Sequence, residues 1–254
     1  MTALAEGRAR ELLNAYCIKS PEGLKNLDEI ANAEGLIVED ADLSNCQGKI
    51  AYEETMGLIK VSTAVREPGA RRFVIAHEMG HFFNEKSKLN RCASQDMLPV
   101  KSKKVGEDDA NAFAVELLMK KEWYSEFVKD KDPGIEAIRK AAEYFGVSLS
   151  AAAIRYSQAG NFPVAVIMTH KRKVSWSSIS ELFPYQYVGK HHPVNSYSEA
   201  EAFYSGTKVD TAPHSVLADS WFLEDRSFRR NHSLVEQILP MPNYDSLLAV
   251  VWEG

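Results

Sequence analysis

Apolar residues recur at helical spacing near the start of the chain, at Leu12, Leu13, Ala15 and Tyr16, and again at Leu24, Leu27, Ile30 and Ala31. The pattern predicts two packing helices, the second stopped by Gly35. Then the period shortens. Leu36-Ile37-Val38, Lys49-Ile50-Ala51-Tyr52 and Leu58-Ile59-Lys60-Val61 are strand-like runs, the last two joined by a turn from Glu53 to Gly57. They predict a small antiparallel sheet. Pro68-Gly69 breaks the chain, and a helical period resumes from Phe73-Val74-Ile75-Ala76 to Phe82-Phe83. Between Asn84 and Gly106 there is no period and six basic residues stand among polar ones, so this stretch reads as a long loop, either flanking a cleft or simply solvated.

From Glu107 the helical period returns. Ala110, Phe113, Ala114, Leu117 and Leu118 form an apolar stripe behind an acidic first turn. Past Trp123, Asp132-Pro133-Gly134 ends one unit. Ile135, Ile138, Ala141, Ala142 and Phe145 share a helical face, Gly146 turns the chain, and Ser148 can cap a further helix through Ala152, Ile154 and Tyr156. That outline is helix-turn-helix. Its second helix is rich in alanine and offers few side chains to read bases or grip phosphate, which favours packing or partner docking over DNA binding. Beyond Asn161, residues 163–168 with 174–176, and 233–239 with 246–252, read as two hairpins, with one helix near residues 198–204. The expected organisation is α+β: a first domain over 1–125 with a small sheet and packing helices, a helix-turn-helix-like module over 126–160, and a C-terminal α+β domain over 161–254 that either binds a small molecule or partner or is a cap whose aromatics fill its core.

Composition narrows the classes. The chain has 254 residues, 45% hydrophobic and 26% charged, which suits an ordinary globular protein. A net charge of −5 argues against binding nucleic acid or anionic membrane by bulk charge. Neither a signal-peptide core at the start nor a run of about eighteen apolar residues is seen, so a cytoplasmic location and no membrane contact are expected. Cys17, Cys46 and Cys92 lack a paired spacing, which leaves reduced thiols as the expectation.

The candidate chemistry lies in the helix through residue 77, which carries His77-Glu78-Met79-Gly80-His81. Two residues four apart on a helix lie on one face about 6 Å apart, close enough to hold one ion. Zinc chemistry wants two neutral imidazoles, a third ligand, an open position for water and a carboxylate that takes the water's proton. His77 and His81 supply the first two and Glu78 the last. A pair of hydrogen-bonded core histidines is the plainer alternative. On the later helix Glu107, Ala110, Asn111, Ala114 and Leu118 share one face, which puts a carboxylate and an amide on the stripe facing the core. Glu107 is therefore the candidate third ligand and Asn111 a partner for a ligating histidine. Asp108 and Asp109 are rivals, and all three acids also suit a helix N-terminus. Ile59, Lys60 and Val61, on a strand beside the motif helix, are candidates to hold an extended substrate by main-chain hydrogen bonds, or belong to a structural hairpin. His170, His191, His192, His214 and His232 show no ligand spacing and read as surface or core residues, the adjacent pair a weaker candidate for a metal contact.

Arg71-Arg72-Phe73-Val74-Ile75-Ala76-His77-Glu78-Met79-Gly80-His81, the run Glu107-Asp108-Asp109-Ala110-Asn111-Ala112-Phe113-Ala114-Val115-Glu116-Leu117-Leu118-Met119, and Phe145-Gly146-Val147-Ser148 with Arg155 together resemble the ImmA/IrrE family of bacterial and phage zinc metallopeptidases. The likeness covers roughly residues 10 to 160. It implies a zincin-like site holding one Zn2+, a carboxylate at Glu107 as ligand, and cleavage of a helix-turn-helix repressor that controls stress or mobile-element genes. One branch of that family carries a GAF-like domain, which the C-terminal part would match. Lys120 stands where many relatives have proline. The expected function is a zinc endopeptidase acting on a regulatory protein. A metal-bound regulator that docks a repressor without cutting it is the second reading, and a DNA-binding regulator the third. Arg155 and Tyr156 are guesses for the group that stabilises the oxyanion.

Overall fold

A computed structural model describes residues 2–44, 46–53, 55–89 and 106–254, apart from the side chains of residues 85–89. Two compact units result, Met1–Trp123 with Ala142–Ser148, and Tyr124–Ala141 with Leu149–Gly254. Helices and sheets occur in both. Among the described residues no helix is long and apolar enough to cross a membrane.

In the first unit, α1 (Thr2–Ala15) buries Ala5, Ala9, Leu12 and Leu13, one face at 3.6 residues per turn. Helix α2 (Leu27–Ala33) buries Leu27, Ile30 and Ala31. Gly35, at φ 83°, then turns the chain into the sheet through a conformation glycine takes without a Cβ clash. Strands β1 (Leu36–Ala41), β2 (Gly48–Tyr52) and β3 (Gly57–Ser62) lie in the order β1-β3-β2. The pair β2–β3 is the expected antiparallel hairpin, but β1 runs parallel to β3, so the sheet is mixed rather than antiparallel. The connection is the cause. After β1 the chain skips the adjacent place, β2 runs back, and β3 returns into the gap pointing the same way as β1. Strand β3 is thus central, with Ile59 and Val61 fully buried, and β2 is an edge.

Helix α3 (Pro68–Leu89) starts on proline, and the Glu67 carboxylate accepts from the Gly69 and Ala70 backbone N–H groups at 2.9 and 2.5 Å. It continues to residue 89, into the stretch expected to be a loop; residues 90–105 of that stretch lie outside the described residues. Helix α4 (Glu107–Leu118) packs against α3. They meet at Gly80, where an added Cβ would lie 2.9 Å from Ala110 Cα. Arg10 Nε donates to the buried Glu116 carboxylate at 2.7 Å and ties α1 to α4. Arg72, on α3, donates to the carbonyls of Leu24, Phe145 and Gly146, which joins residues 142–148 to this unit.

The division between units falls inside α5 (Lys121–Val128) and α6 (Ile135–Phe145). The second unit adds α7 (Leu149–Ala159), β4 (Val164–His170), β5 (Lys173–Ile179), α8 (Glu199–Tyr204), β6 (His214–Leu217), β7 (Ser233–Met241) and β8 (Ser246–Trp252). Its sheet is antiparallel in the order β5-β4-β8-β7-β6. Both expected hairpins are present, as β4–β5 and β7–β8. The first turns through Lys171 and Arg172, each at positive φ. Strand β6 has no counterpart in the sequence reading. On one face Tyr185 stacks on Phe222 with ring centroids 4.8 Å apart, within a cluster that includes Phe183, Trp221, Leu234 and Val251.

A buried carboxylate organises the β6–β7 end. Glu236 on β7 is fully buried and accepts from Ser198 Oγ at 2.8 Å, Glu199 N at 3.1 Å, His214 Nε2 at 3.1 Å and Trp221 Nε1 at 2.5 Å. His214 Nδ1 donates to Ala212 O at 3.1 Å, so both ring nitrogens face acceptors, as an imidazolium requires. The hydrogen bond to Glu236, against some loss from burial, pushes His214 up to about 9.

Candidate metal centre

Helix α3 carries His77, Glu78 and His81, and α4 brings Glu107 to them because Gly80 and Ala110 allow the two helices to cross closely. Glu107 lies one turn before Ala110, on the face turned to the histidines. His77 Nε2 lies 3.1 Å from His81 Nε2 and 3.3 Å from Glu107 Oε2, and His81 Nε2 lies 3.8 Å from Glu107 Oε1. One donor atom from each of the three falls within 4.8 Å of the others, the one such His/Cys/Asp/Glu group among the described residues. Asp108 and Asp109, the rival ligands, are outside it.

These donors fit a divalent metal ion. Ligands held at about 2.0–2.1 Å in a tetrahedron stand about 3.3 Å apart, the scale of the separations seen. His77 Nδ1 lies 2.9 Å from Asn111 Oδ1, so Nδ1–H donates there and Nε2 keeps its lone pair. Burial first, and then His81, lower the His77 pKa, which keeps the imidazole neutral. A chance pair of core histidines would explain the helix but not a carboxylate from α4 and a tautomer set by Asn111.

Glu78 is 7% exposed, and no hydrogen bond reaches its carboxylate among the described residues. Burial, aided by Glu107, pushes its carboxyl up to about 7. Glu78 and the three donor residues open on a cavity of about 720 Å3, also bordered by Ile50, Tyr52 and Phe73. Strand β2 runs along α3 with Gly48 beside Val74 and Glu78, and with Tyr52 edge-on to Phe82 at 5.6 Å. Val74, Glu78 and Phe82 are spaced four apart, one stripe of the helix.

The other sequence candidates are placed differently. Ile59, Lys60 and Val61 stand on β3, whose main chain is paired on both sides, so it has no free edge for an extended peptide; among the described residues β1 and β2 are the edge strands, and β2 is the one bordering the cavity. Arg155 and Tyr156 are buried on α7 in the second unit and are not among the residues lining the cavity. His192 pairs with Glu224 at 3.1 Å, His232 contacts Tyr185 Oη at 2.6 Å, and His170 contacts Ser246 Oγ at 3.1 Å. The sequence reading missed Gly48, Tyr52 and Phe73 at the cavity. A glycine inside a strand is a known sign of close approach, and that signal was available at Gly48.

Residues 38–157 match a family described as the IrrE N-terminal-like domain. This region belongs to the ImmA/IrrE family. The matched stretch contains every donor and Glu78. Metallopeptidase ImmA of Bacillus subtilis (strain 168) is 28% identical over 144 residues, which are 55% of this chain and 80% of that protein. The solved structure of a Mycobacterium tuberculosis transcriptional regulator shares the fold over 98% of this chain and 75% of its own, with a TM-score of 0.58 at 14% identity, a likeness of fold alone.

Proposed function

We propose that this chain is a zinc-dependent endopeptidase with a zincin-like site, which cuts a regulatory protein, a helix-turn-helix transcriptional repressor, in a stress-response or mobile-element switch. The observation that carries the reading is the convergence of His77, His81 and Glu107 with a nearly buried Glu78 on one open cavity. When bound, a zinc ion lowers the pKa of a water it holds to about 7 and polarises a carbonyl. His77 and His81 would hold it through Nε2 and Glu107 through its carboxylate, with Asn111 keeping His77 in the donor tautomer. Glu78 is the general base: a carboxyl near 7 can accept a proton at Oε at neutral pH and return it to the leaving amine. The edge of β2, unpaired among the described residues, borders the cavity and can pair with an extended segment of substrate by main-chain hydrogen bonds. This moves the substrate strand from residues 59–61 to β2. A protein substrate suits such an edge better than a small molecule does. In this reading α6 and α7 form the helix-turn-helix-like module, which serves docking, and the β4–β8 sheet forms the C-terminal domain.

The test pairs elemental analysis with cleavage. Wild type and Glu78→Gln should each hold about one zinc, Glu107→Ala should lose it, and only wild type should cut a candidate repressor encoded by a neighbouring gene. A wild type that binds no metal defeats the reading. Zinc without cleavage of any candidate would instead support a metal-bound regulator that docks its partner.

A further inference from the structure

The alternate residues Gly48, Ile50 and Tyr52 of β2 are less exposed than Lys49 and Ala51. Tyr52 meets Phe82, while at the level of Glu78 the strand presents no side chain at all. Gly48 has ordinary extended backbone, so no conformational demand explains glycine there, and within a strand glycine costs stability. What explains it is space. A Cβ on Gly48 would meet Val74 Cγ1 most closely, and would stand 2.8 Å from Glu78 Oε1 and 3.3 Å from Glu78 Cγ.

We propose that Gly48 is a positioning residue for Glu78: the gap left by its missing side chain is the socket in which the Glu78 carboxylate rests beside the donor group. The consequence for cleavage rests on the peptidase reading; the placement itself does not. The socket also keeps β2 close, since its backbone closes the side of the cavity next to the carboxylate. A side chain at position 48 must push the carboxylate aside or lift the edge strand away from α3.

The contact with Val74 offers a purely structural reason for the same glycine, and a second substitution separates the two. Val74→Ala removes Cγ1, so in Gly48→Ala/Val74→Ala the remaining short contacts are those with Glu78. The experiment compares this double variant with Val74→Ala by three readouts. These are the side-chain carboxyl 13C resonance of Glu78, identified by its loss in Glu78→Gln, the zinc content, and single-turnover cleavage of a helix-turn-helix repressor encoded by a neighbouring gene. The expected result is a displaced Glu78 resonance, unchanged zinc content and cleavage slower by about tenfold or more. An unmoved resonance, or cleavage equal to that of Val74→Ala, overturns the assignment. Should the double variant not fold, Gly48→Ala in a Glu78→Ala/Val74→Ala background, with no carboxylate left to displace, should fold; failure there also overturns it. If wild type cuts nothing while the resonance still moves, the peptidase reading falls and the socket stands.

Discussion

Glu236 in the second unit is fully buried and accepts hydrogen bonds from a hydroxyl, a backbone N–H, an indole and an imidazolium. Glu78 in the first is nearly as buried, yet no hydrogen bond reaches its carboxylate among the described residues, and its carboxyl is pushed up to about 7. The same side chain is thus used in opposite ways. Four donors stabilise the charge of Glu236 and make it a fastening for β6, β7 and the α8 cap. Burial, with no donor among the described residues to offset it, raises Glu78 towards neutral pH, as the proposed general base requires.

The sharpest way to break this contrast is to remove the charge at each site. Glu78→Gln should lower cleavage by about 10^2–10^4-fold while leaving the thermal midpoint unchanged or higher; equal cleavage by the variant would show that Glu78 is not the base. Glu236→Ala should do the reverse and destabilise the second unit by about 3–5 kcal/mol, because it strands a half-buried imidazolium and three other donors around a fully buried position. Denaturant unfolding measures this, and a loss below about 1 kcal/mol would show that the four hydrogen bonds are not cooperating. Asn111→Ala should weaken zinc binding by about 10–100-fold in competition with a chelator, through loss of the tautomer control at His77. The smallest effect is pH-dependent. His214 is raised in the folded protein, so its contribution to stability is complete below its ordinary 6.5 and is lost as pH rises through about 9. The gap in thermal midpoint between wild type and His214→Asn should narrow from pH 6 to pH 10, and a constant gap would remove the imidazolium from the account.

The candidate metal site, as a cluster of side chains, was largely legible in the sequence because its parts are local. His77 and His81 are related by helical spacing, and Glu107 and Asn111 stand together on an otherwise apolar stripe. What brings the two helices together, Gly80 against Ala110, is tertiary, though the small residues were visible. Strand existence was readable and strand order was not: alternation marks which side chains turn inward, but nothing in Leu36-Ile37-Val38 says that its neighbour will be β3 rather than β2. Strand β6 escaped because only Val216 of its four residues is buried, and its pairing with β7 comes from distant chain. Nothing in the sequence marks Glu236 as a buried fastening, since its side-chain donors come from positions 15 to 38 residues earlier in the chain.

The hairpin of β2 and β3 has one more consequence, for tolerance to insertion and deletion. Gly48 faces Val61 and Tyr52 faces Gly57 across the pair, and the turn between Tyr52 and Gly57 sets that pairing. Lengthening this turn by two residues so that β2 slips by two keeps the same face inward, and the sheet itself would accept it. The slip would nevertheless bring Ile50 to the level now held by Gly48, against the Glu78 carboxylate. A surface turn remote from the chemistry is therefore constrained in length, and variation there is expected to be confined to residue type.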